Sequence, residues 1–182
     1  MTVNADLARI FGSDSDAVHL APFGTTLPTT LTGTLDPLFE DVGWLNTDGV
    51  TESLGGSVDK KRGHQGQRVI RTRVNEGSTS YAFVALESKA QTQSLRYDEK
   101  SVTVTAGVRK AVRSSSQSIK VRAAVIDFFD ADDITVRERL IIPRFEISPN
   151  GDKVMSTDIV AFPFMGEIIG DYTVLTTDLE SA

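Results

Sequence analysis

Few residues in this chain could carry acid–base or metal chemistry. There are two histidines, His19 and His64, and no cysteine. The missing cysteines exclude disulfides, thiolate metal sites and cysteine nucleophiles. His19 falls in a short extended run, residues 17–21, and reads as a packed or edge residue. His64 falls in a glycine-rich, charged stretch and reads as solvated. Neither has a catalytic partner in a local motif. A Ser-His-Asp triad assembles through space, so sequence alone does not exclude one. No Gly-x-Ser-x-Gly, phosphate loop or dinucleotide fingerprint raises its weight. Asp130, Asp132 and Asp133 with Glu138 suggest a calcium site, but they lack the alternate ligands and central glycine of a calcium loop. An acidic turn is the simpler reading. No catalytic, cofactor-binding or metal residue is assigned, no cofactor is expected, and the chain is expected not to be an enzyme.

The sharpest electrostatic feature is basic. Lys60, Lys61, Arg62, Arg68, Arg71 and Arg73 crowd a short span whose only carboxylate is Asp59. It could be a nucleic-acid patch, a solvated loop without a role, or an arm that docks on an acidic neighbour. No aromatic residues interleave to stack bases, as single-strand binders use. The whole chain carries a net charge of -6, whereas proteins that grip phosphates are usually basic. The preceding segment is acidic: Asp36, Glu40, Asp41, Asp48 and Glu52. A chain acidic on one segment and basic on the next can complement copies of itself. Such surfaces favour head-to-tail contacts, which close into rings or extend into filaments. The docking arm is the favoured reading.

The elements that must position these charges are mostly strands. A chain of 182 residues, 40% hydrophobic and 24% charged, suits one packed domain spanning 1–182. No apolar run approaches the roughly 20 residues that span a bilayer, so no membrane partner is expected. Residues 1–6 lack the basic and apolar regions of a signal peptide, which predicts synthesis in a cytoplasm without export by that route. An N-terminal arm covers about 1–16, with a short helix suggested by Val3, Leu7, Ile10 and Phe11. Residues 22–36 read as an extended loop, and Asp36-Pro37 as a cap before a single turn at Leu38-Phe39. Two short strands are predicted around the turn Asn46-Thr47-Asp48-Gly49. A long charged loop covers about 45–66.

Beyond the loop the period is two. Ile70, Thr72 and Val74 share a face, and Asn75-Glu76-Gly77-Ser78 reads as a hairpin turn. Tyr81, Phe83 and Ala85 alternate with other apolar residues, so that strand is apolar on both faces. Residues 87–97 suit one helix with Leu86, Ala90 and Leu95 inward. Val102 and Val104 mark a strand, and residues 109–118 a polar loop. Ile119, Val121, Ala123 and Val125 form one face, opposite Lys120 and Arg122. Ile134, Val136, Leu140 and Ile142 return on one face, with Arg137 and Arg139 opposite. Asn150-Gly151 signals a tight hairpin, and a strand over 159–165 holds Pro163, which suggests an edge or bulge. A short tail covers about 177–182. The fold class is mainly β with one flanking helix: an antiparallel β-sandwich or barrel.

Residues 36–54 read Asp36-Pro37-Leu38-Phe39-Glu40-Asp41-Val42-Gly43-Trp44-Leu45-Asn46-Thr47-Asp48-Gly49-Val50-Thr51-Glu52-Ser53-Leu54. This resembles the early segment of major tail proteins, the tail tube proteins of long-tailed, non-contractile phages, especially those of actinobacterial hosts. In that family a Leu/Phe turn precedes a Gly-aromatic pair, and Asp-Gly-Val-Thr leads into a charged loop. Ala21-Pro22-Phe23-Gly24-Thr25-Thr26-Leu27-Pro28 resembles the family's Ala-Pro-x-Gly-Thr-x-x-Pro opening. The similarity continues through the strand at 68–74 and the strand at 81–87 that leads into a helix. Lys60-Lys61-Arg62 departs from it, where a richer tryptophan and glycine content is expected.

The resemblance implies a structural subunit of the virion tail tube. Hexameric rings would stack around a channel that holds the tape-measure protein and conducts double-stranded DNA, without binding it specifically, during ejection. Tail-tip and head–tail connector or terminator proteins are the implied further partners. The inter-subunit candidates are Trp44, Asp48, Glu52, Asp59, Lys60, Lys61, Arg62, His64, Arg68 and Arg71. The alternatives are another β-sandwich virion protein, a tail terminator or capsid decoration protein, and, with less support, a nucleic-acid-binding module.

Overall fold

The structure, a computed structural model, describes residues 8–178. In chain order these residues form β1 (Ala17–Pro22), β2 (Glu40–Asp41), β3 (Leu45–Arg62), β4 (Val69–Ala85), α1 (Ala90–Arg96), β5 (Glu99–Thr105), β6 (Val108–Arg113), β7 (Lys120–Phe129), β8 (Arg137–Pro149), β9 (Phe162–Ile168) and β10 (Thr173–Thr176). An eight-stranded sheet runs β2-β1-β7-β8-β9-β4-β3, and β10 also pairs with β8. β5 and β6 form a separate two-stranded sheet. Every ladder is antiparallel. Among the described residues no helix is long and apolar enough to cross a membrane.

Alternation builds the core. Val18 and Leu20 of β1, Ala124 and Ile126 of β7, and Leu140, Ile142, Phe145 and Ile147 of β8 turn to one face. Tyr81 and Phe83 of β4 and Phe162, Phe164 and Ile168 of β9 join them, and Leu95 of α1 packs against them. Each of these large side chains contributes about 1.5–3 kcal/mol by leaving water. Gly166 lies over the Phe145 ring, where an added Cβ would fall 2.0 Å from Cζ. That close approach fixes how tightly β9 can lie on β8.

The opposite face is covered only in part. Residues 23–39 cross it as a strap, with Leu27, Leu35 and Phe39 packing on Ala21, Ala123 and Val125. Beneath the strap Arg139 is bidentate to Asp127, at 2.5 and 2.9 Å, and both are buried. The same guanidinium donates to the carbonyls of Gly33, at 2.7 Å, and Thr30, at 3.3 Å. At the strap's end the Asp36 carboxylate accepts from Leu38 N–H and its carbonyl from Phe39 N–H. This is the capped turn that Asp36-Pro37 predicts.

The mainly β, antiparallel class with one helix is confirmed, but the barrel is not closed. No ladder joins β2 to β3 among the described residues. Several local expectations are corrected. Residues 45–62 are one strand, not a loop, and Asn46 to Gly49 form an irregularity within it, with Gly49 at φ +63. Asn75 to Ser78 are not a turn. They form a bulge opposite Gly56, with Glu76 at φ +53, inside a continuous β4. The chain reverses instead at residues 63–68.

Residues 108–113 are strand β6, although a polar loop is expected over 109–118. A two-residue turn, Ala106 at φ +50 and Gly107 at φ +78, links it to β5, the type I′ geometry that matches strand twist. The helix is shorter than 87–97. Leu95 is buried as expected, but Ala90 is exposed, and Thr92 and Gln93 are the other buried residues. Asn150-Gly151 opens a long connection, not a tight hairpin, and Asn150 N–H donates to the carbonyl of Pro163. β9 begins at Phe162 rather than 159, and Pro163 lies between β4 and β8, not at an edge. Ile134 sits exposed in the β7–β8 turn. The helix suggested by Val3 and Leu7 lies outside the described residues, while Phe11 makes an extended bridge to Asp130.

Candidate assembly surfaces

β3 and β4 leave the body of the molecule together. β9 covers β4 only from Ser80 to Ala85. From Thr79 outward the two strands pair with each other alone and form an arm. Val58, Ile70, Thr72 and Val74 supply the β-branched residues that suit a pleated backbone. Gly63 and Gly66 make the tip, where an isolated 3-10 turn spans Gln65–Gln67. Gly63 N–H donates to the Arg68 carbonyl, and Arg62 Nη1 to the Gln67 carbonyl at 3.0 Å.

Cross-strand register assigns the arm's faces. Val58 pairs with Val74 on one face, and an added Cβ on Gly56 would touch Val74. Val74 is 66% exposed and Ile70 73%, with Leu54 also bare. On the other face Asp59 lies opposite Arg73, and Lys61 opposite Arg71. Asp59 reaches Lys61 at 2.7 Å. Like charges directly across a ladder are destabilising, so the Lys61–Arg71 pair costs the isolated arm some stability. A two-stranded ribbon with both faces in water is marginal alone.

The candidate residues divide into two groups. Asp59, Lys60, Lys61, Arg62, His64, Arg68 and Arg71 all lie on the outer arm or its tip, and all but half-buried Asp59 are exposed. Trp44, Asp48 and Glu52 lie at the root. Trp44 is held by its backbone: its N–H donates to Glu87 Oε1 at 3.0 Å, and its carbonyl accepts from Leu86 N–H. The Trp44 hydrogen bond, with help from Lys89, holds the Glu87 carboxyl below its usual range. Gly43, at φ +90, lets the chain pass against that carboxylate. The indole itself is 67% exposed. Glu52 accepts from the Tyr81 hydroxyl at 2.6 Å. Burial, and then that bond, raise the Tyr81 phenol well above its usual range.

Asp48 and Glu52 also line a cleft of about 310 Å³, where β3 fails to close onto the far side of the sheet, with Phe11, Asp16, Phe128 and Glu138 opposite. Burial raises the carboxyls of Asp16 and Glu138.

The β5–β6 hairpin was hidden from sequence reading. Val102 and Val104 lie on one face, and Val108 and Val112 on the other, all exposed. The available signal was Ala106-Gly107 between two alternating runs; the serine-rich stretch behind it masked the second run. The hairpin's root is fixed. Glu99 binds Arg109 at 2.6 and 3.1 Å, and Arg113 donates to Gln93 at 2.8 Å and lies over the Tyr97 ring.

A family model described as phage tail tube protein matches residues 1–171. The chain belongs to the phage tail tube protein family. No curated protein matches it. A tail tube protein is a structural component of the virion that assembles with its own kind into a tube, and it is not an enzyme. In this tail tube protein the histidines stand apart. His19 lies in β1 beneath the strap, and His64 lies at the arm tip. Burial lowers the His19 imidazole, against the attraction of Asp41 and Asp127. Asp130 uses its carboxylate on the N–H groups of Ile10, Asp132 and Asp133. Glu138 sits on β8, away from that turn.

Proposed function

We propose that copies of this tail tube protein close into hexameric rings, and that the rings stack around a channel. The channel holds the tape-measure protein and conducts double-stranded DNA during ejection from a long-tailed, non-contractile phage. The subunit is made in the host cytoplasm and meets tail-tip and head–tail connector proteins at the ends of the tube. The observation that carries this reading is the β3–β4 arm. Its apolar face at Leu54, Val58 and Val74 is bare, and its cations outnumber its carboxylates. Free β-edges of this kind invite pairing with another chain, and identical copies in closed symmetry satisfy them without runaway growth. The contacts are assigned to Asp59, Lys60, Lys61, Arg62, His64, Arg68 and Arg71 on the arm, and to Trp44, Asp48 and Glu52 at its root. The net charge of -6 suits a wall that DNA passes without sticking.

Electron microscopy of the purified full chain, with and without tail-tip nucleators, tests this. Hollow tubes of stacked six-membered rings are expected. Compact monomers alone, at high concentration and with nucleators present, would overturn the reading.

A further inference from the structure

The β5–β6 hairpin stands outside the eight-stranded sheet, and among the described residues its four valines are left exposed. Its root is clamped by Glu99 with Arg113 and by an ion pair between Lys120 and Asp98, and Glu99 also holds Arg109 from nearer the turn. Its outer part is bare: Val104 is 70% exposed, and Val108 and Val112 flank Lys110 on the other face. Lys100, Arg109, Lys110 and Arg113 outnumber the single carboxylate Glu99 along its strands. A two-stranded hairpin of this kind is weak alone, and its apolar residues call for cover.

The complementary surface lies at the other end of β7. There the chain turns through Asp130, Asp132 and Asp133, with Ile134 exposed. The segment before β1 is laced to this turn. Ala131 N–H donates to the Ile10 carbonyl, and Phe11 bridges Asp130. Ile10, Phe11 and Ile134 are all exposed. The one cation of that segment, Arg9, is tied to the Thr177 carbonyl. The hairpin thus carries valines with cations, and the turn carries isoleucines and a phenylalanine with carboxylates.

The hairpin root adjoins Lys120, the first residue of β7, and the turn follows Phe129, its last. A ten-residue strand separates its ends by about 30 Å, so the hairpin root and the turn stand far apart within one copy. We propose that the β5–β6 hairpin of one copy docks on the β7–β8 turn of a second copy, a head-to-tail contact. Such a contact is heterologous, so it propagates to a ring or a filament and does not stop at a dimer. The contact rests on the reading of the chain as a self-assembling subunit, and it assigns a partner surface that the β3–β4 arm does not supply.

Charge reversal in the full chain tests it, read by electron microscopy and sedimentation. Lys110→Glu and Asp132→Lys each change one exposed side chain. Each alone is expected to raise the concentration needed for assembly by about tenfold or more. Combined in one chain they restore it, because every copy then offers both reversed charges. Circular dichroism checks that each variant folds. As a second measurement, Val108→Cys and Ile134→Cys chains are mixed and oxidised. The parent has no cysteine, so a cross-link that needs both variants reports the contact. Tubes from Lys110→Glu at the parent's concentration, or a double variant no better than the singles, would overturn this inference. A parent that forms no tubes would instead overturn the proposed function.

Discussion

β7 with β8 and the outer β3–β4 arm share one design rule, alternating side chains on paired antiparallel strands, and end in opposite environments. Along β7, residues 123–127 are all buried, because the core lies on one side and the strap on the other. Along the arm the alternation continues, but Val58, Ile70 and Val74 face water. The local backbone is satisfied in both. What differs is whether the subunit itself provides the second layer that every sheet face needs. The body is finished within the subunit, and the arm is a strand pair with both faces exposed among the described residues. Substitutions should therefore act on folding in the first region and on assembly in the second.

The largest expected effect on stability is in the body. Arg139→Ala leaves Asp127 buried without its partner and frees the Gly33 and Thr30 carbonyls. Breaking such a pair from one side costs about 3–5 kcal/mol, measured by denaturant unfolding under conditions that keep the protein monomeric. Replacing both residues, Asp127→Leu with Arg139→Met, is expected to recover most of that loss, since apolar pairs often match buried ion pairs. A loss below about 1 kcal/mol for Arg139→Ala would show that the strap is held by Leu27, Leu35 and Phe39 alone.

The same contrast explains what could be read from sequence. Ala123, Val125, Leu140 and Ile142 announced the body, because apolar residues at alternate positions write a period of two, although Ala123 and Val125 pack under the strap and Leu140 and Ile142 in the main core. Asp36-Pro37 announced its turn, because capping is local chemistry. Residues 45–62 announced short strands around Asn46 to Gly49 but not one continuous strand. Charged residues and glycines fill positions that face water in the subunit, so the pattern looks like a solvated loop. Gly55, Gly56 and Gly77 mark a bulge, yet from sequence alone they are indistinguishable from turn glycines. The basic arm was legible as charge, and its shape was not. The β5–β6 hairpin was lost for the same reason: valines on both faces give no inside and no outside. The buried Asp127–Arg139 pair was invisible, since its need for a strap is a tertiary fact.

A smaller effect is expected from pH, also in the body. His19 packs beside Asp41, Asp127 and Arg139, and burial lowers its folded value from the ordinary 6.5. The unfolded chain therefore takes up a proton first as pH falls below that value. Stability should decline from about pH 7 downward, by at most about 1.4 kcal/mol per pH unit for one proton. It should level off once the folded imidazole also titrates. His19→Gln is expected to flatten this part of the profile. An equal slope in parent and variant between pH 7.5 and 5.5 would assign the decline to other groups.

The smallest effect on folding, and the one that most sharpens the contrast, belongs to the arm. Arg71 lies directly across from Lys61, a repulsion that the isolated subunit has no reason to keep. Arg71→Glu turns it into an attraction, and cross-strand pairs of opposite charge contribute about 0.2–1 kcal/mol. Amide hydrogen exchange in the monomer should show the arm slightly better protected, with the global unfolding midpoint unchanged within error. Assembly should move the other way. If the arm meets an acidic surface on a neighbouring copy, the variant offers a carboxylate where a cation is needed, and tubes should require more protein. A residue that lowers local stability while raising assembly is placed for the neighbour and not for its own strand. Should Arg71→Glu assemble as readily as the parent, the charge on this face is a solvated surface, and the bare valines behind it must hold the arm to its partner.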